Sequence, residues 1–242
     1  MNYKLNISYD GTEFSGWQIQ PKVRTIQKEL QDVIRNIFND KKIILYGSGR
    51  TDAGVHANGQ VANFLIDTKM STMQIKNAIN ANLNKDIYIN RCESVNKDFN
   101  ARFSALERKY IYQICQKYNP INRKYFWYVN YKIDKSKLEK CARFILGEHD
   151  FSFFCKNISR KENNNCIIKK SKWIFDNNLI CYEITANRFL HHMVRMLVGT
   201  MIEVAKDSIS IEKFQKMVST KDIKPRVVTC PPHGLYLNKI NY

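Results

Sequence analysis

The order in which hydrophobic patterns change period along this chain constrains its fold more than any other feature. Residues 3–9 place Tyr3, Leu5, Ile7 and Tyr9 on one face, the alternation of a half-buried strand. Thr25 stands at an N-cap position ahead of Ile26, Leu30, Val33, Ile34, Ile37 and Phe38, which fall along one helical stripe. Strands are expected at 42–46 and 60–66, a second helix from Ser71 to about Leu83, and a further strand from Asp86 to Cys92. The order is β-α-β-β-α-β, and the rest of the chain repeats it. A strand at 109–115 precedes a helix from about Ser136 to Leu146, opened by a Ser136/Glu139 capping box. A hairpin of 173–175 and 179–184 turns around Asp176, Asn177 and Asn178. A long apolar helix, Arg188 to Lys206, a short helix near 211–218 and a last strand at 234–237 complete the set. This order predicts a mixed α/β (α+β) fold of two ferredoxin-like halves, residues 1–104 and 105–242.

Charge narrows the partner. Lys and Arg number 39 against 22 acids, a net +17, and the lysines are spread along the chain rather than gathered in a tail. With 13 Tyr and 13 Phe, that excess favours nucleic acid over a membrane surface. No run of eighteen apolar residues occurs, and MNYKLNISYD alternates like a strand instead of forming an export signal, so no membrane segment is expected. The seven cysteines form no CxxC pair, and reduced thiols in a cytoplasm fit them best. Two basic stretches, QPKVR (20–24) and KNISRKENNN (156–165), are expected to be surface loops, either polyanion contacts or solvated surface.

Candidate chemistry is concentrated in a few stretches. GSGRTDAGVHANGQ, Gly47 to Gln60, holds one acid, Asp52, beside Arg50 and among four glycines. Such a loop either makes an Asx-turn with a solvated carboxylate or aims that carboxylate at a reacting molecule. The helix FLHHMVRMLVGTMIEVA is apolar nearly all round and carries Arg195, whose guanidinium needs a carboxylate, a phosphate or carbonyls. A scaffold acid and Asp52 are the two candidate partners. His191 and His192, adjacent on the same helix, diverge by about 100° and offer no i,i+4 metal pair. GxxxxGK[ST], GxSxG and GxGxxG motifs do not occur. Tyr110 and Tyr112 share a strand face behind Arg108 and Lys109, a pattern that either stacks a base or covers a sheet.

Six blocks in order then narrow the reading: DGTEFSGWQIQP with RTIQ, GSGRTDAGVHANGQVANF, FNARFSALERKYIYQI, GEHDFSFF, NRFLHHMVRMLVGT and PPHGLYL. Along nearly its full length the sequence resembles the TruA-type tRNA pseudouridine synthases. The resemblance implies two similar halves whose sheets meet at a central basic cleft, and a cytoplasmic homodimer that grips one tRNA. It implies an isomerase that turns uridine into pseudouridine in the anticodon stem-loop, at tRNA positions 38, 39 and 40, with no cofactor and no metal. Residue by residue, Asp52 matches the catalytic aspartate and Tyr110 the tyrosine stacked on the target uracil. Arg195 matches the arginine paired with the aspartate, and Leu235 an apolar residue of the same pocket. Arg50, next to the aspartate, is expected to meet a phosphate or the displaced base. After GEHDFSFF the chain departs from the family pattern, reading KNISRKENNNCIIKKS.

Overall fold

The computed structural model of the protein describes residues 1–156, 159, 162–220 and 226–242, and divides the chain into two units: Met1–Leu106 with Tyr236–Tyr242, and Glu107–Leu235. Part of the basic segment at 156–165, including Arg160 and Lys161, lies outside the described residues.

In the first unit β1 (Asn2–Tyr9), α1 (Ile26–Phe38), β2 (Tyr46–Gly47), β3 (His56–Leu65), α2 (Thr72–Asn82) and β4 (Ile87–Val95) follow the expected order. β1 lies between β3 and β4, antiparallel to both, and β2 pairs on the other edge of β3. Tyr3, Leu5, Ile7 and Tyr9 are all buried, so the alternation read in the sequence is the core face of this sheet. α2 is opened by a complete capping box of Ser71 and Gln74. Thr25 does occupy the N-cap position of α1, but its hydroxyl makes no capping bond and is buried without a partner.

The stretch 42–45 is not a strand, although KIILY reads as one. Side chains of α1 satisfy its backbone instead: Arg35 Nε donates to Ile43 O, Gln31 Oε1 accepts from Leu45 N–H, and Gln27 Nε2 donates to Leu45 O. A strand ladder would compete for those same groups, and the amphipathic helix reaches them first.

The second unit holds β5 (Glu107–Cys115), β6 (Trp127–Tyr128), α3 (Lys135–Phe144), β7 (Gly147–Asp150), β8 (Asn165–Asp176), β9 (Leu179–Ala186), α4 (Met193–Ala205) and α5 (Ile211–Ser219). Its antiparallel order is β5-β9-β8-β7, with β6 parallel to β5. α3 packs on β8 and against α4, burying Leu138, Cys141 and Ala142. The expected Ser136/Glu139 box is replaced by a cap two residues earlier, Asp134, whose carboxylate accepts from Lys137 N–H. The last strand, β10 (Leu235–Asn241), pairs in parallel with β3 through Tyr236 to His56 and Leu237 to Ala57. Residues 236–242 therefore lie with the first unit, a placement that element order alone does not indicate.

Candidate active site

The Asp52 loop is built from backbone. Asp52 O accepts from Val55 N–H at 3.2 Å, and Gly54 at the third position has φ +75°, the geometry of a type II turn. Thr51, just before it, is fixed from two sides: its hydroxyl lies 2.8 Å from Tyr9 Oη, and its carbonyl accepts from Trp17 N–H at 3.1 Å. Two glycines outside the loop set its position. A Cβ on Gly11 would meet Val55 O at 2.0 Å, and one on Gly16, whose φ is +91°, would meet Thr51 O at 2.6 Å. Only glycine admits such an approach.

The rest of the loop is closed by buried polar side chains. Gln60 donates to Gly49 O at 2.8 Å and accepts from Gly49 N–H at 3.3 Å, copying a strand pair with an amide. His56, also buried, accepts from Gly11 N–H at 3.1 Å through Nδ1 and stacks on Tyr236 with ring centroids 4.8 Å apart. The segment that carries Gly16 is held in turn by Arg24. Its guanidinium lies 4.0 Å from the Phe14 ring and pairs with Glu29 and Asp86. Its hydrogen bonds to Glu29 and then Asp86 push its pKa still further above the ordinary arginine value. Phe14 O accepts from Gly54 N–H at 3.3 Å. Arg24, read in the sequence as part of a basic surface loop, is thus a structural cation. Asp52 is half-buried on this frame and Arg50 is exposed.

In the second unit Tyr110 lies on β5, 7% exposed, with the edge of Phe189 5.0 Å away at 85°. Tyr112, two residues on, is fully buried. Its hydroxyl donates to Pro231 O at 2.8 Å, and its ring meets Trp127 edge-on at 6.1 Å. The two tyrosines therefore differ: Tyr112 is a core residue that holds a loop, and Tyr110 keeps a sliver of surface. Burial raises the Tyr112 pKa well above that of an ordinary phenol, so its hydroxyl remains a donor.

Arg195 is not in the middle of a buried helix, as periodicity suggests. α4 begins at Met193, because His192 has φ +66° and ends the preceding turn, so Arg195 sits in the first turn and is half-buried. Its Nε donates to Cys230 O at 3.0 Å while its own carbonyl accepts from Cys230 N–H at 3.2 Å. Val228 N–H adds a bond to Thr200 Oγ1 at 3.2 Å, so the segment 228–231 is strapped along α4. Leu235, a few residues later, is 5% exposed. His191 and His192 precede the helix rather than lie on it, and their rings touch at 4.4 Å instead of diverging.

Sequence reasoning missed Gly11, Gly16, Gln60 and Tyr112 as the residues that position the site. Their signal is visible in hindsight: two glycines beside aromatics in DGTEFSGW, and one glutamine inside the apolar run that follows Asn58.

A family model described as tRNA pseudouridine synthase matches residues 6–104 and 141–242. The chain is similar to tRNA pseudouridine synthase A of Thermosipho melanesiensis, 40% identical over 241 residues that cover 98% of each chain. It is 37% identical to tRNA pseudouridine synthase A of Brachyspira hyodysenteriae over 98% of this chain and 97% of that one. Against tRNA pseudouridine synthase A of Lacticaseibacillus casei it is 35% identical, over 100% of this chain and 99% of the other.

Proposed function

The chain belongs to the tRNA pseudouridine synthase family and is an isomerase of tRNA uridine; from that premise we propose that it acts in the anticodon stem-loop, at positions 38, 39 and 40, with Asp52 as its catalytic carboxylate. The observation that most supports this role is the frame around Asp52: a type II turn whose neighbours Thr51 and Val55 are each pressed against a glycine. A solvated surface acid has no use for so constrained a backbone.

The reaction breaks the bond from C1′ to N1, turns the freed uracil and joins C5 to C1′. N1 gains a proton and C5 loses one, so the product is an isomer and no redox partner enters. A carboxylate serves either by attacking C1′, giving a sugar ester, or by removing the C2′ proton, giving a glycal. Deuterium at C2′ separates the two: a primary isotope effect on single-turnover rate excludes ester formation as the first step. Tyr110 is assigned to stacking on the flipped uracil, Leu235 to the pocket wall, and Arg50 to a phosphate or the displaced base. Arg195 is assigned to the same pocket, and its expected pairing with Asp52 is part of this proposal. A homodimer in the cytoplasm, working without cofactor or metal, completes the reading. No helix among the described residues is long and apolar enough to cross a membrane.

The test is Asp52→Asn with unmodified tRNA transcript in EDTA, followed by pseudouridine mapping at nucleotide resolution. The parent should modify positions 38–40, and the variant should give no product while retaining tRNA affinity within a few-fold, since phosphate contacts made elsewhere supply most of the binding. More than trace tritium release from 5-³H-uridine tRNA by the variant would remove Asp52 from the reaction.

A further inference from the structure

From Arg108 to Ile133 the chain contains no acid, while Arg108, Lys109, Lys117, Arg123, Lys124 and Lys132 are all cationic. The same stretch carries KYNPINRKYFWY, the densest aromatic cluster in the protein. None of it beyond Tyr110 has a part in the reaction described above. Its fold is well defined. β6 lies parallel to the end of β5, with Trp127 opposite Ile114 and Tyr128 opposite Cys115. The connection is wound by turns: Asn122 N–H donates to Asn119 O at 3.2 Å, Tyr125 N–H to Asn122 O at 2.9 Å, and Gln116 N–H to Asn178 O at 2.8 Å. Arg123 Nη1 donates to Pro120 O at 2.6 Å, which fixes where that cation stands.

Two hollows flank this connection. One, of about 200 Å³, is lined by Tyr118, Phe126, Trp127 and Tyr128 together with Arg123 and His233. The other, of about 330 Å³, shares Tyr118 and Phe126 and adds Lys117 and Leu179. Both lie at or below the lower end of the range for drug-sized ligand sites, roughly 300–1,000 Å³, and suit single planar rings. Tyr118 borders both. It is 57% exposed, and Tyr128 meets it edge-on at 5.4 Å, an orientation that leaves a ring face open.

We propose that Tyr118 is a stacking blade for one unstacked tRNA base, seated in one of the two hollows that it borders, with Lys117 and Arg123 taking the adjoining phosphates. Sequence-tolerant single-strand sites combine these same parts, an aromatic face and flanking cations. Cys115, which lines both hollows, is five residues along β5 from Tyr110, about 17 Å at ~3.4 Å per residue and on the alternate face of the strand, so the blade would hold a nucleotide past the strand end from the one that reacts. A second copy of this chain suits the surface less well. A two-fold contact would set the cations of one copy against those of the other.

The proposal rests on tRNA being the substrate, and its test reads binding alone so that the two can fail separately. Unmodified tRNA transcript is titrated with parent, Tyr118→Ala and Arg123→Ala by fluorescence anisotropy across a KCl series, with sedimentation velocity and thermal unfolding of each protein. Tyr118→Ala should weaken binding roughly tenfold with an unchanged salt slope, as loss of one stacked base does. Arg123→Ala should lower the salt slope by about one. Parental affinity in both variants overturns the proposal. So does a variant that loses self-association while each subunit keeps parental affinity, because the surface is then a protein interface. A parent that binds tRNA with these dependences but forms no pseudouridine overturns the proposed function and leaves the blade standing.

Discussion

The Asp52 loop of the first unit and, in the second, the strap at 228–231 that bonds to Arg195 are held by opposite means. In the loop, position is set by backbone pressed on backbone: Gly11 under Val55 O, Gly16 under Thr51 O, and the turn closed from Asp52 O to Val55 N–H. In the strap, side chains reach out to hold a backbone that has no ladder of its own: Arg195 to Cys230, Thr200 to Val228, Tyr112 to Pro231. The first arrangement, although Tyr9, His56 and Gln60 add side-chain bonds to it, turns on two glycine contacts that cannot be tuned. The second is built from groups that can be exchanged one at a time, and it should respond in graded steps where the first responds all at once.

The strongest way to break this contrast is Gly16→Ala. The new methyl meets Thr51 O at 2.6 Å in a residue that also needs φ +91°, so overpacking and backbone strain add. A loss of about 2–4 kcal/mol is expected from the two together. Because the clash is with the residue next to Asp52, single-turnover pseudouridine formation should fall below ~1% of the parent, since misplacement by about 1 Å can cost a hundredfold. Thermal unfolding and rate, both near parental, would show that the loop is not held by close approach. Gly11→Ala is the companion variant, with Val55 O at 2.0 Å.

Arg195→Met addresses the other side. It leaves the Cys230 carbonyl without its guanidinium donor and should cost about 1–3 kcal/mol in urea unfolding. If Arg195 also acts in the pocket, the single-turnover rate on bound tRNA falls steeply, and Arg195→Lys, which keeps the charge but not the Nε geometry, restores only part of it. A parental rate at saturating enzyme, with the stability loss intact, would confine Arg195 to the strap.

How legible each region was follows from the same difference. Tyr3, Leu5, Ile7 and Tyr9 were readable because period-two alternation reports burial directly. So was the element order, with α2 and its Ser71 cap placed to within a residue. Asp52 stood out as the only acid in its loop, but the residues that position it did not, because close approach of two backbones leaves no periodic trace. The strand expected at 42–46 failed for a related reason: local propensity cannot see that Gln27, Gln31 and Arg35 of α1 reach across to its backbone. Apolar periodicity starts α4 five residues too early because it continues through Phe189 and Leu190, whereas the boundary is a single left-handed residue, His192. β6 and β7 are too short to announce themselves, and β10 is placed by pairing with a strand far away in sequence.

Tyr112→Phe is a smaller perturbation and sharpens the claim that the strap is titratable. Removing the hydroxyl strips Pro231 O of its donor, worth about 1–2 kcal/mol, while the ring keeps its packing on Trp127. The sign with pH is definite. Burial raises the folded-state pKa above the ordinary 10.0, so this contribution is full below pH 10 and is lost as pH climbs beyond it. The parent should therefore lose stability above pH 10 faster than the variant, by about 1.4 kcal/mol per unit at most. Parallel curves would mean that the hydroxyl does not anchor the strap.

The smallest effect expected is at Glu183, on β9, which joins the strand bearing Tyr110 to its neighbour across the sheet. Oε1 takes Lys109 of β5 at 2.8 Å and Oε2 takes Lys170 of β8 at 2.6 Å. Hydrogen bonds from Lys109 first and Lys170 second hold its pKa below the ordinary 4.5. A depressed carboxylate contributes stability that is fully present above its unfolded-state pKa and disappears as pH falls through the folded value. The window of change is therefore below pH 4.5, and at neutral pH the contribution is constant and fully present. Both lysines are partly solvated, so the contribution is about 0.5–1 kcal/mol, in the range of exposed pairs. Glu183→Gln keeps the shape and part of the hydrogen bonding but cannot titrate. Urea midpoints from pH 6 to pH 3 should converge for the two proteins at the acid end and differ by that amount above pH 5. If the gap instead persists unchanged to pH 3, Glu183 acts through shape alone, and the second unit is less electrostatically held than its ion pairs suggest.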